Sequence, residues 1–168
     1  MKISVPIKNG FLPDEYSKHA SNELKTAGCP NQSFPIHIED LPQGTKTFAW
    51  TFVDFDAVSE CGFVWIHWLG ANLPASITDL PANASRQSND MFIQGRNSNA
   101  SPMANADPSV AKGYIGPQPP ATIHHYTLTV YALDSELDLK DGFWLNELLH
   151  ASEGHVLAKA KCDVPCRP

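Results

Sequence analysis

The chain has 168 residues, a net charge of -6, 42% hydrophobic residues and only 18% charged ones. That is the balance of one globular domain large enough to bury a single core, and it excludes an intrinsically disordered segment. With no basic run anywhere, it also argues against a nucleic-acid partner and against electrostatic attraction to an anionic membrane.

In chain order, Pro13-Asp14-Glu15-Tyr16 reads as a short helical turn, with acids placed for a positive helix end. Leu41-Pro42-Gln43-Gly44 has turn chemistry. It leads into a strand over 47–53, where Phe48, Trp50 and Phe52 share one face. Residues 63–69 are almost continuously apolar, as in a central strand covered on both sides, and Asn72-Leu73-Pro74 should end it. Residues 82–113 change character. Asn83, Asn89, Asn97, Asn99 and Asn105 stand among Ser, Ala and Gly, which reads as a long loop of functional or variable character.

A proline-rich loop, 116–120, precedes a third strong strand over 124–133. His124 and Tyr126 lie two apart there, so they face the same way. Residues 141–151 read as a helix, with Leu145, Leu148 and Leu149 on one stripe and Gly154 as a stop. A last short strand is expected over 155–161. The sum is a mostly β protein, an antiparallel sandwich with one or two short helices.

Chemistry concentrates in few places. Asp54 and Asp56 follow the first strand, His67 sits in the apolar one, and His124 and Tyr126 open the third. Turn statistics give the acids a capping role, and strand context makes His67 a core residue as readily as a ligand-binding one. Taken together, imidazoles, a phenol and a rigid proline loop suit a small preformed anion pocket. No G-x-S-x-G, nucleophile motif or phosphate loop is present, so no enzyme is expected. A metal triad of His67, His124 and Asp54, as in a hydrolase or lyase, is the weaker alternative.

Of the cysteines Cys29, Cys61, Cys162 and Cys166, the last two are spaced wider than a usual zinc hook. Free thiols are expected, with a Cys162–Cys166 bridge as the second choice. No cofactor is expected. No run has the length of a membrane span, and Met1 to Pro6 lacks the apolar stretch of a signal peptide, so a cytoplasmic location is expected.

These residues, in this order, resemble the phosphatidylethanolamine-binding protein family, most closely its bacterial and archaeal branch described as Raf-kinase-inhibitor-like. Asp54-Phe55-Asp56-Ala57-Val58 is similar to the signature D-P-D-A-P, without either proline. Trp65-Ile66-His67-Trp68 resembles the strand carrying the pocket histidine. Residues 113–120 are similar to G-Y-x-G-P-x-P-P, and His124-His125-Tyr126 resembles H-R-Y with His125 in the Arg place. The resemblance implies an antiparallel β-sandwich whose pocket is lined by Asp54, His67, His124 and Tyr126, with Trp65 near the rim and Gln118 in the loop wall. It implies a phosphate, acetate or phosphoryl head group as ligand and a binding or regulatory role without turnover, the alternative being a kinase- or protease-inhibitor module acting through its surface loops. A homodimer is one expected assembly. Loss of the Arg at 125 should disturb a brace to Asp56, because His lacks the permanent charge and the forked donor. The stretch 94–112 looks longer than its family counterpart.

Overall fold

The computed structural model describes residues 1–87 and 90–168. Asn89, part of the Asn-rich stretch, lies outside them. The strands among the described residues are β1 (Lys2–Ser4), β2 (Lys25–Thr26), β3 (Cys29–Pro30), β4 (Ile36–Glu39), β5 (Thr47–Asp54), β6 (Trp65–Pro74), β7 (Asp79–Leu80), β8 (Ile93–Gln94), β9 (His124–Leu133) and β10 (Val156–Cys166). Three short helices accompany them, α1 (Val58–Cys61), α2 (Ala84–Gln87) and α3 (Leu145–Ala151), one more than the upper expectation.

Five strands form the main sheet in the order β10-β9-β5-β6-β8, and β1-β4-β7 form a second; all the pairings are antiparallel. The central strand β5 is buried along its whole length. Its Phe48, Trp50 and Phe52 join Ile36 and Ile38 of β4 and Leu80 of β7 in the core between the sheets. Its Ala49 faces the other way, into a second cluster with Leu69, Leu133, Phe143 and Leu148 that α3 helps to cover. Large aromatics on one face and small residues on the other let β5 be covered on both sides at native packing density. Phe34 sits at the centre of the main core, edge-on to Phe52, Trp68 and Tyr114, the arrangement that ring quadrupoles favour.

Several boundaries differ from the expectation. β6 begins only at Trp65 and runs through Asn72-Leu73-Pro74 instead of stopping before them; Asn72 takes a left-handed φ of 62° where the β5–β6 register slips. The last strand is long, not short. Cys162, Asp163 and Pro165 lie past the expected end at 161, yet all pair with β9, and an edge strand tolerates a proline. That same strand rules out the Cys162–Cys166 bridge. Four residues of extended chain separate Cα atoms by roughly 13 Å, about twice what a disulfide spans, and all four cysteines are free. The helix expected from 141 begins at Leu145, where Glu147 accepts the Trp144 backbone N–H at 2.6 Å.

Residues 97–113 of the Asn-rich stretch are pinned rather than loose. Buried Asn97 donates from Nδ2 to the Val110 and Gly113 carbonyls, and its Oδ1 accepts the Asn99 N–H. Ser98 Oγ accepts the N–H of Ile66 on β6. This loop is therefore fastened to the strand that carries His67.

Gly70 of β6 lies opposite Trp50 of β5, and a Cβ there would stand 2.1 Å from the Trp50 ring. Gly70→Ala is expected to destabilise the protein by about 3 kcal/mol, the upper range for overpacking a rigid core, measured as a lower midpoint in urea unfolding.

Candidate functional site

The site is built where β5, β6 and β9 lie side by side. Asp54 is the last residue of β5 and stands in register with both Trp65 of β6 and Tyr126 of β9. Along β6, Phe52 pairs with Trp68 and Val53 with Ile66, so His67 is the extra residue of a bulge. Bulges re-aim side chains beside functional sites, and this one frees both the backbone and the ring of His67 for another partner. The His67 carbonyl accepts the Ile115 N–H at 3.0 Å, and its ring Nδ1–H donates to the Ile115 carbonyl at 2.9 Å. One histidine thus clamps both polar groups of one residue in the 113–120 segment.

Further bonds hold that segment. Gly116 N–H donates to the Pro30 carbonyl at 2.7 Å, Lys18 N–H to the Pro117 carbonyl, and Tyr114 Oη–H to the Tyr16 carbonyl at 2.6 Å. A Cβ at position 116 would lie 2.5 Å from the Tyr16 carbonyl oxygen, so only glycine fits. The wall presenting Gln118, Pro119 and Pro120 is fixed from behind.

Asp54 does two jobs. Oδ1 accepts the N–H groups of Asp56 and Ala57, the turn-capping role, while Oδ2 accepts Nδ1–H of His124 at 2.8 Å. Asp54 and His124 are both buried. With Nδ1 of His67 and of His124 engaged inside the protein, Nε2 is in each case the nitrogen left for a ligand. Tyr126 packs edge-on to His67 at 5.0 Å between ring centroids, and tilted to His124 at 6.3 Å.

All six residues singled out in the sequence (Asp54, Trp65, His67, Gln118, His124 and Tyr126) line one cavity of about 230 Å³. Asn99, Glu60, Cys61 and Ile115 line it as well, and were not foreseen. Asn99 carried a weak signal, lying in the Asn-rich stretch. Ile115 holds His67 through its backbone, which no side-chain pattern announces. Among the described residues, no three His, Cys, Asp or Glu side chains are grouped to hold a metal ion.

The expected brace between residue 125 and Asp56 is made differently. Asp56 Oδ2 accepts the backbone N–H of His125 at 2.8 Å, which any residue supplies, and the His125 ring turns to Asp163 at 2.9 Å. That hydrogen bond raises the His125 pKa. The loop is therefore held despite the missing Arg.

Burial pushes the His67 pKa down to about 4, outweighing the opposing pull of the Ile115 carbonyl and the Asp54 charge. Burial, then the Asp54 charge, pushes the Tyr126 phenol upward, keeping it a protonated donor. The His67 shift has a sign. Its folded pKa lies below the unfolded value of 6.5, so the unfolded chain binds the extra proton first, and the stability present above that value is lost as pH falls. Acidification from about pH 6.5 to about pH 4 should remove roughly 3 kcal/mol through this residue. His67→Asn should flatten that part of the profile, read from urea unfolding at several pH values.

Comparison with known proteins places this arrangement. The family model described as phosphatidylethanolamine-binding protein matches residues 2–166. The YxkA protein of Bacillus subtilis is 52% identical over 160 residues, covering 95% of each chain. A UPF0098 protein of Methanothermobacter thermautotrophicus is 36% identical over 154 residues, covering 90% of this chain and 87% of its own. The crystal structure of Escherichia coli YbcL, titled a new member of the mammalian PEBP family, superposes with a TM-score of 0.75 at 26% identity, covering 99% of this chain and 98% of its own. The chain belongs to the phosphatidylethanolamine-binding protein family.

Proposed function

We propose that the protein binds one small oxyanion, a phosphate-like group or a carboxylate, in the cavity between β5, β6 and β9, and that it acts by binding rather than by turnover. One observation carries this reading. Nδ1 of both His67 and His124 is tied down inside the protein, so both Nε2 atoms are presented to the same small cavity as Tyr126. Preformed polar groups on rigid strands are what a selective small-ligand site requires. The volume suits a head group, not acyl chains. The family description names phosphatidylethanolamine, whose head group carries such a phosphoryl oxyanion.

Binding without turnover is supported by the surroundings of the one thiol in the cavity. Cys61 Sγ–H donates to the Ala57 and Phe63 carbonyls and has no imidazole partner to activate it. Four free thiols suit a reducing compartment, in keeping with a cytoplasmic location.

A second reading, a Raf-kinase-inhibitor-like module that engages a protein partner, draws on one feature. Exposed Phe55, Val58 and Ile123 line a neighbouring surface depression that shares His124 with the cavity, and exposed Phe63 stacks on Trp65, which lines the cavity. Such a rim would let a partner, or a second copy of the chain, cover the pocket.

Calorimetric titration with inorganic phosphate near pH 6 tests the first reading. Saturable binding is expected for the wild type. Tyr126→Phe should weaken it by about tenfold, and His124→Ala by about tenfold or more, as for loss of a hydrogen bond to a charged group. Unchanged affinity in folded His67→Ala and His124→Ala proteins would refute the assignment.

A further inference from the structure

The cavity has an unusual charge balance for an anion site. No Lys or Arg lines it. The nearest ammonium to its wall, Lys18 Nζ, already donates to the Pro119 carbonyl. The titratable groups that face the space are Asp54 from β5, His67 from β6, His124 and Tyr126 from β9, and Glu60 and Cys61 from α1. Cys166 of β10 lies close enough to Tyr126 to act on its phenol. His125 points away, to Asp163.

Summed, these groups give no positive charge at neutral pH. His124 has the Asp54 carboxyl group 2.8 Å from its Nδ1, so an acidic partner sits against the imidazole inside the pocket. His67, with its pKa near 4, is neutral. Tyr126 is neutral, and Glu60 adds a carboxylate at the lining. Hydrogen bonding tells the same story. A neutral His67 donates through Nδ1 to Ile115, so its Nε2 is a lone pair aimed at the ligand. A lone pair repels the oxygen of a fully deprotonated anion but accepts a proton from an acidic one.

Resting on the oxyanion reading above, we infer that the pocket takes its anion together with one proton, and that its ligand class is an oxyanion carrying an acidic hydroxyl: inorganic phosphate or a phosphate monoester as the monoanion. In the bound state a proton lies between the ligand oxygen and Nε2 of a pocket histidine. Written as O–H···N or as O···H–N⁺, it is one hydrogen bond with the same atoms and the same total charge. An anion without an acidic proton, such as sulfate, must draw the proton from solvent onto an imidazole that burial keeps neutral, and it binds more weakly for that reason.

The test is isothermal titration calorimetry of the whole protein with inorganic phosphate and, separately, with sulfate. Runs span about pH 5 to about pH 9, in pairs of buffers with different ionisation enthalpies. Expected is uptake of about one proton per phosphate bound near pH 8, a phosphate Kd that rises about tenfold per pH unit above neutrality, and sulfate binding at least about tenfold weaker at pH 7. Phosphate binding with a flat Kd and no proton uptake would leave the oxyanion pocket standing and overturn this inference. So would sulfate binding as tightly as phosphate. Absence of phosphate binding at every pH would overturn both.

Discussion

The site depends on the pair of hydrogen bonds between His67 and the backbone of Ile115. A bulge in β6 removes His67 from the sheet ladder, and its carbonyl and ring nitrogen take up both polar groups of a residue 48 positions later. That clamp ties the 113–120 segment to the sheet, beside the hydrogen bonds made by Gly116, Pro117 and Tyr114. The same contact sets the His67 tautomer and the position of its Nε2. Such a contact is worth more buried than in water, because each group left alone would carry its full desolvation penalty.

The Asp54–His124 pair is the second fixed point. Asp54 accepts three hydrogen bonds, two from the following turn and one from an imidazole on the neighbouring strand. The sequence raised two roles for this residue, turn cap and pocket acid, and the structure gives one carboxylate both. The turn after β5 keeps its shape without the two prolines of the family signature because these hydrogen bonds, and the one from His125 N–H to Asp56, supply the restraint.

How far this was legible in the sequence follows from what each feature depends on. Side-chain period revealed β5, β6 and β9 of the main sheet but not β8, which lies in the stretch read as a loop, and the shared face of His124 and Tyr126 followed from their spacing. A sandwich is expected from the sequence, but the strands of its second sheet are not placed there, although Ile36-His37-Ile38-Glu39 alternates buried and exposed as a strand should; four residues make too short a pattern. The full length of β10 was hidden because Asp163 and Pro165 look foreign to a strand, and only pairing with β9 keeps them there. The bulge at His67 has no side-chain signature, since register is a property of two strands together. Gln94 shows the same limit from the other side. Its amide holds Trp68 and Ser85 through interactions no local pattern announces.

The pocket also has a history within the folding reaction. Its two anchoring contacts close loops of 70 residues, between Asp54 and His124, and of 48, between His67 and Ile115. The middle of the main sheet likewise waits for β9 to reach β5. A chain whose contacts are this distant in sequence pays loop-closure entropy before it gains packing, and belongs with the slower folders, on a scale of about milliseconds to seconds. During synthesis the two histidines leave the ribosome well apart; His67 acquires its tautomer only when Ile115 arrives, and His124 only when β9 reaches Asp54. Ligand competence is therefore a late event, gained with the closing of the sheet.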